Sequence, residues 1–154
     1  MDIRWGIILM SALAFIPAVG QQVKINEVMT ANASAIMDFD NYNFSEWVEL
    51  YNPHNEKVQV SGYFFSNDQA DIKKWQIPAF RDIPAKGYLI IYMDKLNYGI
   101  HTNFRARTND ELLLLSDSQG ILVDSVRVYH FPRNCSIGRN PDGSATWSIY
   151  VVPS

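Results

Sequence analysis

From Val23 onward, short apolar segments alternate with turn residues at intervals of about ten positions, and helical periodicity is weak throughout. That rhythm constrains the fold more than any other feature of the chain. Strands half-buried by alternation must pack their apolar faces on one another, and two antiparallel sheets face to face are the economical solution. Val23 and Ile25 alternate with Lys24 and Asn26 in a first strand. Val48 and Leu50 alternate with Trp47, Glu49 and Tyr51 in a second, with Val48 and Leu50 toward the core. Val58 to Ser66 is strand-like but interrupted at Ser61-Gly62, Lys74 to Ile77 is a short strand, and Tyr88 to Tyr92 follows the turn Pro84-Ala85-Lys86-Gly87. Leu112 to Leu115 is a continuous apolar run suited to a fully buried strand. Ile121 to Val128 follows, and Asn140-Pro141-Asp142-Gly143 turns the chain between two late strands. Only Met29 to Met37 suggests a helical turn or two, with Asn32 or Ser34 as a cap.

The 154 residues suffice for one domain with its own core. The net charge is −3 and no run is strongly basic, so a nucleic-acid partner is not expected. Arg105 and Arg107 lie beside Asp110 and Glu111 and read as a solvated strand end or loop. Residues 1–20 differ from the rest. Arg4 precedes an apolar run from Trp5 to Val19, and Ala18-Val19-Gly20 supplies small residues for cleavage. The run is short for a membrane span and suits a secretory signal peptide. The expectation is a leader over 1–20 and one domain over 21–154, exported, with no stable membrane insertion after cleavage. Cys135 is the only cysteine, excludes an intrachain disulfide, and reads as a buried small hydrophobe.

Ile25-Asn26-Glu27-Val28 opens a series of local motifs. Glu46-Trp47-Val48-Glu49-Leu50-Tyr51-Asn52 is the most recognisable stretch. Val60-Ser61-Gly62-Tyr63, Lys74-Trp75, Ile83-Pro84-Ala85-Lys86-Gly87-Tyr88, His101-Thr102-Asn103-Phe104, Leu114-Leu115-Ser116-Asp117, Val123-Asp124-Ser125-Val126 and Ser136-Ile137-Gly138-Arg139 follow. In this order the segments resemble those of the lamin-tail domain in its bacterial, exported form. The resemblance implies an all-β, immunoglobulin-like antiparallel sandwich used as an interaction module. The expected function is therefore an exported, non-catalytic binding or assembly module for a protein or glycan surface. The alternative is an accessory domain of a larger exported enzyme, its nuclease, phosphatase or kinase-like module lying outside this chain. The oligomeric state is left open.

No constellation of residues signals catalysis or a cofactor. His54, His101 and His130 are far apart and lack metal-ligand neighbours at helical or hairpin spacing, so they read as isolated loop residues. No nucleophile elbow, zinc-protease motif or phosphate-cradling loop occurs. The acidic stretch Asp38-Phe39-Asp40-Asn41-Tyr42-Asn43, ahead of Ser45-Glu46, departs from a calcium loop: Tyr42 stands at a ligand position and the turn glycine is missing. It is expected to be solvated, with Asp38, Asp40 and Glu46 exposed and no calcium required. Tyr42, Phe44, Phe80, Tyr98, Tyr129 and Phe131 are the aromatics expected at a contact surface. Glu49, flanked on its face by Trp47 and Tyr51, calls for a partner. Arg139, held by the tight turn that follows it, is expected to supply a two-pronged ion pair.

Overall fold

The computed structural model describes residues 22–106, 110–129 and 131–153. These form eleven strands and no helix: β1 (Lys24–Met29), β2 (Trp47–Tyr51), β3 (Val58–Gln59), β4 (Phe64–Ser66), β5 (Trp75–Gln76), β6 (Asp82–Ile83), β7 (Tyr88–Tyr92), β8 (Glu111–Ser116), β9 (Leu122–Val128), β10 (Ser136–Arg139) and β11 (Trp147–Tyr150). One sheet runs β11-β10-β1-β2-β7, a second runs β5-β4-β8-β9, and β3-β6 is a two-stranded ribbon. Every paired strand is antiparallel. The fold is the expected all-β immunoglobulin-like sandwich. The expected leader, residues 1–20, lies outside the described residues.

Alternation decides what enters the core. Ile25, Val28, Val48, Leu50, Ile91 and Ile137 from the first sheet meet Phe65, Leu113, Leu115, Val126 and Val128 from the second, all buried. β8 is buried almost throughout, as its continuous apolar run requires. The helical turn suggested over Met29 to Met37 does not form. Met29 closes β1, and Asn32 brackets an irregular loop instead, accepting from the backbone N–H groups of Ala35 and Ile36 and donating to the carbonyls of Ile36 and Ser45. A capping residue is present without a helix to cap. Cys135 is half-buried rather than fully buried.

The far face of the first sheet is also crowded. Trp47, Glu49, Glu27 and Ser136 are all buried there, and Ser136 Oγ donates to Glu27 Oε1 at 2.5 Å. Gly138 sits opposite Glu27 in the β1–β10 register. A Cβ at that position would lie 2.8 Å from Tyr150 Cε2, 3.2 Å from Glu27 Cγ and 3.3 Å from the Asn26 carbonyl. Gly138→Ala is therefore expected to cost about 1–3 kcal/mol by overpacking, read as a lower urea midpoint at unchanged slope.

Candidate functional site

Arg139 tests the alternation argument most directly. Gly138 faces outward toward Glu27, so Ile137 and Arg139 face inward. The expected Glu49–Arg139 pair does not form, because the two side chains lie on opposite faces of the same sheet. Arg139 crosses the sandwich to Asp124 on β9, with Nη2 at 3.0 and 3.2 Å from the two carboxylate oxygens. Its Nε donates to the Ile25 carbonyl and its Nη1 to the Ser144 carbonyl, and the guanidinium lies over the Trp147 ring, 4.7 Å from the centroid. Asp124 also accepts from the Ile25 N–H at 2.9 Å. Glu49 instead accepts from Asn26 Nδ2 at 2.9 Å. Burial, with the Glu27 and Asp142 carboxylates adding, pushes Glu49 up to about 7 against that hydrogen bond.

The edges of the two sheets do not coincide. β9 ends the second sheet and is clamped over β1 and β10, while β11 continues the first sheet past it. Trp147 and Ile149 sit opposite Arg139 and Ile137 in the β10–β11 register and so face the same inner side, beyond the cover of β9. The result is an apolar groove of about 440 Å³, lined by Val126, Tyr129, Phe131, Ile137, Trp147 and Ile149 among others. Ile149 is 61% exposed, and Val151 and Val152 continue the apolar surface. Among the described residues, both walls are strands at the end of their sheets, with one edge unpaired.

The six aromatics expected at a contact surface do not share one. Tyr129 and Phe131 line the groove. Phe80, 93% exposed at φ 60°, stands elsewhere on a loop. Tyr42 is exposed at φ 51° and Phe44 is half-buried. Tyr98 stacks on His101, with ring centroids 4.7 Å apart.

His101 is not an isolated loop residue. After β7 the chain doubles back: Tyr92 N–H donates to the Ile100 carbonyl and Thr102 N–H to the Tyr92 carbonyl. The His101 ring, fully buried, is thereby held between Tyr92 and Tyr98. Its Nδ1 is 2.7 Å from Asp94 Oδ2. Its Nε2 faces Asp38 Oδ2 and Asp40 Oδ2, each at 3.9 Å. Asp38 is buried, correcting the expectation that it is exposed, and the Asp38–Asn43 bridge holds it in place. Asp40 is exposed and Glu46 half-buried, and burial raises the Glu46 carboxyl above its ordinary value. His54 is half-buried in another loop, and His130 lies outside the described residues. The sequence carries no spacing signal for the His101 cluster, because its members come from two separate loops.

A family model described as Lamin Tail Domain matches residues 17–130, about three quarters of the chain. The chain belongs to the lamin-tail family. No curated protein matches it. In this lamin-tail domain most of the motif residues are spent on holding the sandwich together. Asn52 is fully buried, and its Nδ2 serves the carbonyls of Glu56, Ile83 and Pro84 while its Oδ1 accepts from His54 N–H. Asn26 ties Glu49 and Asp142 and accepts from Gly143 N–H. Phe104 stacks on Phe65 with centroids 5.8 Å apart. The lamin-tail match ends before β10 and β11, so the groove wall made by Trp147 and Ile149 lies outside the matched segment.

Proposed function

We propose that this lamin-tail domain is an exported, non-catalytic binding or assembly module, and that the groove between β9 and β11 takes an extended segment of a partner protein. The observation that carries the reading is the groove's construction: an apolar floor between two strand edges that are unpaired among the described residues. Free backbone N–H and C=O groups are complementary to another peptide backbone, and apolar pockets beside them admit alternate side chains. Tyr129, Phe131 and Trp147 are residue types that dominate binding energy when a partner covers them. A sugar would use the aromatic faces but leave the strand edges unpaired.

The non-catalytic part rests on the disposition of Ser45, Asp94 and His101. A serine nucleophile of the triad type needs histidine as its base. Here Ser45 Oγ donates to Asp94 Oδ2, the same oxygen that His101 Nδ1 contacts, and Ser45 is itself buried. The carboxylate is shared by both groups, and the hydroxyl is directed at the carboxylate and not at the imidazole.

Selection from a random displayed-peptide library against the full chain tests the reading, with a glycan array in parallel. Selected peptides are expected to lose about tenfold or more in affinity on Tyr129→Ala or Ile149→Ser. Both side chains are largely exposed, so the fold is expected to survive. Peptides that bind both variants unchanged, or glycans retained where no peptide is, would overturn the proposal.

A further inference from the structure

We propose that the edge of β11 pairs with β11 of a second copy of this chain, antiparallel across a two-fold axis. The proposal rests on the groove reading above and names the occupant of that strand edge. Open edges invite pairing, and sheets guard them with charges, prolines, bulges, short strands or cover. Among the described residues, the other three sheet ends carry such guards. β7 is closed at its end, where Tyr92 donates to the Ile100 carbonyl and accepts from Thr102 N–H, and Leu89 to Tyr92 are at least partly buried. β5 has only two residues, with Lys73 and Lys74 before it and Pro78 after it. β9 carries Asp124 and Arg127, and its register against β8 shifts between Leu115 and Ser116.

β11 has none of these. Its register with β10 runs unbroken from Trp147 to Tyr150. From Gly143 to Ser154 the chain has no Asp, Glu, Lys or Arg, and Trp147-Ser148-Ile149-Tyr150-Val151-Val152 contains neither proline nor glycine. Uncharged six-residue segments rich in aromatic and β-branched residues are the ones that pair with copies of themselves. Ile149, Val151 and Val152 are left largely exposed. Self-complementarity selects the second copy. A two-fold axis sets a strand against its own sequence, where like charges would face one another, and β11 has no charge to oppose. With the axis at Ser148, Trp147 stands opposite Ile149 of the second copy, Ile149 opposite its Trp147, and the small Ser148 opposite itself. Aromatic and β-branched residues make favourable cross-strand pairs. Both pairs lie on the inner face, where Trp147 and Ile149 wall the groove, so the two grooves run together across the axis. An isologous contact consumes both β11 edges and closes. The guarded ends at β5, β7 and β9 offer no edge for further growth, so the product is a dimer and not a fibre.

Sedimentation equilibrium of the full chain, up to about 0.1 mM, tests the pairing. The weight-average mass is expected to rise with concentration from one chain toward two and to stop there. Ile149→Lys brings two like charges close to the axis and is expected to raise the dissociation constant about tenfold or more. Phe80→Lys, on an exposed loop residue elsewhere, is expected to leave it unchanged. In a Cys135→Ser background, Ser148→Cys is expected to form an interchain disulfide under mild oxidation, and Phe80→Cys is not. A chain that stays monomeric, association that runs past two, a dimer as tight in Ile149→Lys as in the parent, or one weakened equally by Phe80→Lys would overturn the proposal. The groove reading falls or stands separately. Displayed peptides that bind through Tyr129 and Ile149 to a chain that stays monomeric would keep the groove and remove the second copy as its occupant. A dimer broken by Ile149→Lys, with no peptide selected, would keep the second copy and remove the foreign segment.

Discussion

Asp124→Asn is expected to lower the free energy of unfolding by about 3 kcal/mol or more, because it leaves a guanidinium buried without its counter-charge. The side chains of Arg139 and Asp124 are only 9% and 11% exposed, so solvent screens the pair little. Arg139→Met is expected to cost at least as much, since the carbonyls of Ile25 and Ser144 lose their donor as well. Replacing both charges with apolar groups removes the unpaired charge, so the double variant is expected to be more stable than the sum of the single losses predicts. Urea unfolding of the two single variants and the double variant measures the coupling. Strictly additive losses, each below about 1 kcal/mol, would mean that the pair behaves as an exposed one.

Glu49→Gln is expected to act in the opposite sense, stabilising the domain by about 3 kcal/mol at pH 8 and by almost nothing near pH 4. Glu49 is buried beside Glu27 and Asp142, and its carboxyl is raised from an ordinary 4.5 to about 7. Between those two values the native chain holds a proton that the unfolded chain has released. The stabilisation from that proton is complete below about pH 4.5, falls as pH rises through 7, and is gone above it. Glutamine mimics the protonated side chain and keeps an oxygen for Asn26 Nδ2. Stability curves of the variant and the parent should therefore meet at low pH and separate steadily toward pH 8. Parallel curves across that range would show that Glu49 ionises as readily in the folded chain as in the unfolded one.

The faces of the strands were legible in the sequence, and the partners across the sandwich were not. Alternation placed Val48 and Leu50 inward and Glu49 outward, and the structure agrees. The same rule, applied to Ser136-Ile137-Gly138-Arg139, puts Arg139 on the inner face with Ile137 and so excludes Glu49 as its partner. Which inward residue answers Arg139 depends on how the second sheet is laid over the first, and nothing local to β9 encodes that. Asn32 carries a helix-cap signal, but its side chain closes a loop because Met29 is drawn into β1 by pairing with β2. His101 looked isolated for a related reason. Asp94 shares its loop, but Asp38 and Asp40 reach it from another loop more than fifty positions upstream, held against the first by Ser45–Asp94 and Tyr98–Asn41 hydrogen bonds. Contacts between loops at one end of a sandwich have no period to read.

The position of β1 between β2 and β10 dictates the order in which the domain can be assembled. β1 and β2 are neighbours along the chain and can meet early. The other edge of β1 waits for a strand encoded far downstream: Arg139 reaches the Ile25 carbonyl across 114 positions of sequence. Until β10 arrives, Ile25 and Val28 lack the strand that carries Ile137, Asp124 lacks its counter-charge, and the Ile25 N–H is the one hydrogen bond left among the described residues to tie Asp124 to β1. Closing so long a loop is the slow event in topologies of this kind. The first sheet therefore cannot be completed until Ser136 to Arg139, near the far end of the sequence, come into place.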